Sequence, residues 1–108
     1  MDAHQRQLSI KTGVVSRLRK ELEAYRVEAE TTRGEVTKME EAQADEYEIR
    51  QRKRVLAETE RMIPDSEQRL AKAVDDLEDA MEAAEDTHAE SDEYKKAAEA
   101  VKTAPRPE

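Results

Sequence analysis

From Leu8 onward, apolar residues recur along the chain at helical spacing. Leu8, Val15, Leu18, Leu22, Tyr25, Ala29, Thr32, Val36 and Met39 follow one another at steps of three and four, with Lys11 in the one polar slot. This is a heptad-like stripe. Charged residues, among them Arg17, Arg19, Lys20, Glu21, Glu23, Arg26 and Glu28, occupy the positions between. The pattern predicts one long amphipathic helix over about residues 7–40, roughly 50 Å long at 1.5 Å per residue. Two glycines sit inside it, Gly13 and Gly34, and each costs about 1 kcal/mol relative to alanine. They read either as tolerated weak points near the helix ends or, at Gly13, as a place where another backbone approaches closely.

The pattern lapses from Glu40 to Ala44. Asp45, with Glu48 three residues on, has the form of a capping box. A second stripe follows through Ile49, Arg52, Leu56, Thr59 and Ile63, then Leu70, Val74, Leu77, Met81 and Ala84, predicting a helix over about 46–86. Pro64 falls inside it, where proline removes a backbone donor and crowds the preceding turn. A helix stopped at Met62 would leave half of the first helix's seam uncovered, so length favours a kinked, continuous helix. The apolar phase also slips by one position near Pro64. Thr87 to Glu90 break the pattern again. Ser91 reads as an N-cap with Asp92 and Glu93 behind it, and Tyr94, Ala97, Ala98 and Val101 give a short third stripe over 92–103. Pro105 and Pro107 end it, with a frayed tail at 104–108. The expected architecture is all-α, an elongated antiparallel three-helix bundle in a single domain over 1–108, its second helix kinked at Pro64.

Composition sharpens this picture. Of 108 residues, 36% are apolar and 43% charged, with no Phe, Trp or Cys and three Tyr. Such a chain lacks the side chains for a thick core but can fill a thin seam between helices. The net charge of −8 argues against a nucleic-acid partner, which needs a basic footprint, and against an anionic membrane. Without cysteine there is no disulfide, zinc–thiolate site or thiol nucleophile. No apolar run is long enough for a signal-peptide core or a membrane span, which makes the cytoplasm the expected location.

Little in the sequence carries chemistry. His4 and His88 have no carboxylate or cysteine partners at metal-ligand spacing; His4 is expected in a frayed end and His88 in a turn. Two isolated glycines make no phosphate loop, and without strands there is no nucleophile elbow. The carboxylates lie on solvated faces, without the apolar pocket that splits the pKa values of a catalytic pair. The expectation is a protein that is not an enzyme and needs no cofactor or metal. Two charge features stand out. Arg50-Gln51-Arg52-Lys53-Arg54 is basic, and reads as a solvated face pairing with acids on a neighbouring helix more readily than as a localisation or nucleic-acid signal. Between Ala73 and Tyr94 lie ten Asp or Glu and no Lys or Arg, a solvated face or a surface that steers a basic partner. Off the stripes, Ile10, Val14, Val27 and Tyr47, together with Gly13, are the candidate partner-binding residues.

The run Ile10-Lys11-Thr12-Gly13-Val14-Val15-Ser16-Arg17-Leu18 resembles the N-terminal signature of the tubulin-specific chaperone A, or tubulin-binding cofactor A, family. The likeness continues at Lys20-Glu21 and Tyr25, at Tyr47, Ile49 and Leu56, at Met62-Ile63-Pro64-Asp65 with Arg69-Leu70, at Asp76-Leu77 and at Glu93-Tyr94-Lys95. Residues 10–18 together with 62–65 are its most specific part; the departures fall on charged surface positions and in the tail. The resemblance implies a rod-like bundle in the cytoplasm, associated with the cytoskeleton, that binds β-tubulin after release from the chaperonin and before heterodimer assembly. It implies the later tubulin cofactors as further partners, a monomer or homodimer, and no nucleotide site. The residues taken alone also suit a structural or adaptor helical-bundle module, a coiled-coil scaffold that self-associates through its seam.

Overall fold

The computed structural model describes residues 1–105; the part of the expected frayed tail at 106–108, Pro107 included, lies outside them. Three helices follow one another: α1 (Ala3–Glu41), α2 (Glu46–His88) and α3 (Asp92–Thr103), with no strand among the described residues.

Helix α1 begins at Ala3, several residues before the apolar stripe does. Asp2 and Gln5 form a reciprocal cap. The Gln5 N–H donates to Asp2 Oδ1 at 3.0 Å, and the Asp2 N–H donates to Gln5 Oε1 at 3.0 Å. Two of the four donors that a helix start leaves unpaired are thereby satisfied. The other end closes in a Schellman turn. Ala44 N–H donates to the Met39 carbonyl at 2.9 Å and Gln43 N–H to the Glu40 carbonyl at 3.1 Å. Gln43 takes φ 54°, a left-handed conformation adopted without glycine. Ser91 caps α3 as its position predicts, its Oγ accepting from Tyr94 N–H at 3.1 Å and donating to the His88 carbonyl at 2.7 Å.

Contacts group the chain into two compact units. The first joins Met1–Lys20 of the N-terminal region to the residues from Glu67 onward, so it contains stretches of all three helices. Its core holds Leu8, Val15 and Leu18 from α1, Leu70, Ala73, Val74, Leu77 and Ala84 from α2, and Ala97 and Ala104 from the α3 region. The second unit, Glu21–Ser66, is a hairpin of two helical stretches. It buries Leu22, Ala29, Thr32 and Val36 of α1 against Thr59 and Ser66 of α2. There Tyr25, Met39, Ile49, Leu56 and Ile63 stay half-buried, because two helices alone cover only one side of each seam residue. Ion pairs in antiparallel register join the hairpin, Arg33 to Glu60 at 3.1 Å, Arg52 to Glu35 at 3.5 Å and Lys53 to Glu40 at 3.3 Å. All are solvent-exposed, and such pairs contribute about 0–1 kcal/mol each.

Three expectations need correction. Helix α2 runs unbroken through Pro64, but the apolar phase does not slip there. Ser66, fully buried, fills the slot between Ile63 and Leu70 and keeps the steps at three and four. The change comes beyond Leu70, where Ala73 and Val74 are both buried. In that unit α2 faces two helices and needs a wider apolar face. Arg52, counted on the stripe, is exposed and reaches across to Glu35. Ala98 of the third stripe is exposed as well.

Candidate partner-binding faces

The three-helix unit carries Ile10, Gly13 and Val14. Ile10 is 53% exposed. Gly13 lies one turn further along α1, exposed, and a Cβ placed on it would meet nothing within 4 Å. Among the described residues no other part of the chain packs on it, so the close approach of another backbone considered for Gly13 is not made within the fold. Val14 is half-buried at the flank of the seam.

The histidines are not where the sequence suggested. His4 lies within α1 and His88 is the last residue of α2. Their rings stand 6.1 Å apart, and His88 Nε2 meets Asp2 Oδ2 at 2.7 Å. His88 therefore does have a carboxylate partner, supplied by the fold and not by sequence spacing. Gln5 extends the group by donating from Nε2 to Glu93 Oε1 at 2.8 Å. The Asp2 carboxyl is held below its ordinary value, first by the Gln5 N–H and then by the hydrogen bond and charge of His88 and the charge of His4, with desolvation opposing. This cluster ties the start of α1 to α2 and α3. Among the described residues no group of three or more His, Asp or Glu is placed to hold a metal ion.

Two grooves mark the same unit. One, of about 260 Å³, runs between α1 and α2, lined by His4, Gln7 and Lys11 against Asp76, Asp79, Ala80 and Ala83. The other, of about 230 Å³, lies between α2 and α3, with Glu78, Glu82 and Glu85 around Met81, Tyr94 and Val101. The acidic run seen in the sequence thus lines the sides of helical grooves.

The hairpin unit carries Val27, 60% exposed on α1, and Tyr47, 61% exposed in the first turn of α2. Sequence reasoning singled out Tyr47 and missed its companions, Val55 and Met62, which are 38% and 40% exposed. Their spacing of eight and seven residues from Tyr47 onward was the available signal, since it returns to nearly the same side of a helix. A groove of about 490 Å³ opens beside them, lined by Met39 of α1 and Tyr47, Glu48, Gln51, Arg52 and Val55 of α2. The basic cluster divides here. Arg52 and Lys53 pair with acids of α1, as a solvated face beside a neighbouring helix would; Arg50 and Arg54 are exposed outward.

Fold and surface together define a small helical bundle whose distinctive residues, once the seam is filled, are those it turns outward. Which bundle it is follows from comparison. The chain belongs to the tubulin binding cofactor A family, whose model matches residues 3–101. Mouse tubulin-specific chaperone A is 40% identical over 96 residues, covering 89% of this chain and 88% of the mouse protein. The crystal structure of tubulin folding cofactor A from Arabidopsis thaliana superposes with a TM-score of 0.88 at 35% identity, covering 94% of this chain and 95% of that one. Human tubulin chaperone cofactor A gives a TM-score of 0.81 at 37% identity, covering 93% and 96%.

Proposed function

We propose that this chain binds and holds β-tubulin after its release from the chaperonin, without ATP, and passes it on for assembly of the α/β heterodimer. The observation that carries the reading is the family match across residues 3–101 on a helical fold shared with solved tubulin cofactors A. Preformed helices support it physically, because a rigid face limits the ordering cost of binding. Independence from ATP is supported by the glycines, both of which lie inside α1 and form no phosphate-cradling loop. The protein acts as a holder and not as an enzyme, and works in the cytoplasm beside the cytoskeleton. Among the described residues no helix is long and apolar enough to cross a membrane. Ile10, Gly13, Val14, Val27 and Tyr47 belong to the outward faces that meet the client.

The test is capture of β-tubulin, α-tubulin and an unrelated protein of similar charge, with ATP and after its enzymatic removal. Preferential capture of β-tubulin in both conditions is expected. Equal capture of all three, or capture only with ATP, overturns the reading. Sedimentation at several concentrations addresses the scaffold alternative, which requires self-association through the seam; a monomer removes that alternative.

A further inference from the structure

The basic residues of α2 that do not bind α1 lie beside its exposed apolar residues. At 3.6 residues per turn, Tyr47, Gln51, Val55 and Met62 fall within about a quarter turn of one another. Arg50, Arg54 and Arg61 occupy the adjoining strip on the Tyr47 side. All three arginines are exposed, and among the described residues none of their side chains makes a hydrogen bond or ion pair, in contrast to Arg52 and Lys53. Glu58 is exposed between Arg54 and Arg61 on this strip; Glu48 edges the adjoining groove and Asp65 follows one turn beyond Arg61. A protein of net charge −8 therefore presents a locally positive strip along an apolar one.

Neither strip serves the hairpin itself. Arg50 and Arg54 are like charges four residues apart, a spacing that weakens a helix. Tyr47, Val55 and Met62 stay in water although a seam lies on the same helix. Next to them the groove lined by Met39, Tyr47 and Val55 offers space for an inserted apolar side chain.

We propose that this face of α2, Tyr47 to Met62, is the docking surface for an acidic amphipathic helix of the client protein. The ligand helix lays apolar residues spaced three and four apart over Tyr47, Val55 and Met62. It sets one of them into the Met39 groove and aligns a row of carboxylates with Arg50, Arg54 and Arg61. The strip spans roughly 22 Å, about four turns of a bound helix. Charge complementarity selects this occupant. A basic helix would face three unpaired guanidinium groups, and a nucleic acid would find the strip too narrow and the rest of the molecule repulsive. The inference rests on the tubulin-cofactor reading for the identity of the client, but its chemistry can be tested separately.

The experiment compares the full chain with Arg50→Glu/Arg54→Glu/Arg61→Glu. A control, Lys95→Glu/Lys96→Glu/Lys102→Glu, makes the same charge change at exposed positions of the other unit, away from Ile10, Gly13 and Val14. Circular dichroism verifies folding, and Arg50→Gln/Arg54→Gln/Arg61→Gln replaces the first variant if it is unfolded. Binding to β-tubulin and to a synthetic acidic amphipathic helical peptide is read by fluorescence anisotropy, and the peptide contacts are mapped by amide chemical shifts. The face variant is expected to lose about tenfold or more in affinity for both probes, about 1.4 kcal/mol, while the control changes less than about twofold. Shifts should cluster between Tyr47 and Met62, and affinity should fall as salt rises. Equal losses in both variants, or none in either, overturn the proposal. Failure of the wild-type chain to bind β-tubulin sinks the tubulin reading alone; the peptide arm then decides the face, for it if binding and shifts appear and against it if they do not. Tight capture of a single-stranded RNA through the same arginines also overturns it.

Discussion

Pro64 is the residue whose replacement most directly tests how α2 is built. It is exposed, and α2 is helical on both sides of it. Having no N–H, it leaves the Glu60 carbonyl without its helical donor, and its ring crowds that carbonyl. Pro64→Ala restores the donor and relieves the crowding without removing buried contacts. Proline in a helix interior costs about 3 kcal/mol relative to alanine. Against this, proline stiffens the unfolded chain by about 0.4–1 kcal/mol, a benefit the variant loses. The net expectation is a gain of about 2 kcal/mol, which for a chain of this size raises Tm by about 8 °C or more. Helicity at 222 nm should be preserved or slightly raised, and thermal and guanidinium unfolding should both report the gain. A Tm at or below that of the parent would refute the reasoning. It would mean that Pro64 sets a bend or turn on which the native contacts depend, and that α2 is better regarded as two helices meeting there.

Other predictions follow from single atoms. Ser66 Oγ is fully buried with no hydrogen-bond partner in the chain, so Ser66→Ala should stabilise by about 1 kcal/mol; a clear loss in urea unfolding would reveal a hydrogen bond not accounted for. Gln43→Gly relieves the left-handed backbone at the end of α1, and after the added freedom of the unfolded chain should gain about 0.5 kcal/mol, measurable as a shifted denaturation midpoint at constant slope. The depressed carboxyl of Asp2 contributes stability that is fully present above its ordinary value of 3.8 and is lost as pH falls through the lower native value. Asp2→Asn should therefore flatten the acid limb of the stability profile below about pH 4, and an unchanged limb would dismiss the cluster with His88 as a contributor.

Much of the seam was legible because apolar spacing alone specifies it. Leu8, Val15, Leu18, Leu22, Ala29 and Val36 are all buried on α1, and the polar Thr32 and Thr59 were placed there by spacing against their chemistry. The same logic failed at Ser66. A serine reads as an interruption, and the neighbouring proline offered a ready explanation for a slip that is not there. Ala73 and Val74 are both buried in the unit that joins stretches of all three helices, a long-range arrangement that no local window contains. The cap formed by Asp2 and Gln5 lies ahead of the first apolar position of the stripe, where hydrophobic periodicity gives no sign of a helix. His4 and His88 are far apart in sequence, so only the fold could bring them together. On the outer faces Tyr47 could be picked out as an apolar residue off the stripe. Which arginines of the 50–54 cluster are tied up depended on where Glu35 and Glu40 fall across the hairpin.

The scarcity of aromatic residues has an optical consequence. With no tryptophan and three tyrosines, the near-ultraviolet emission of the molecule comes from phenols alone. Tyr25 and Tyr94 are half-buried, whereas Tyr47 is 61% exposed. Changing Tyr25 and Tyr94 to phenylalanine would leave a single native emitter at the start of α2. The protein would then carry its own reporter, quenched or shifted by any tryptophan-free ligand that covers that turn, with no dye attached.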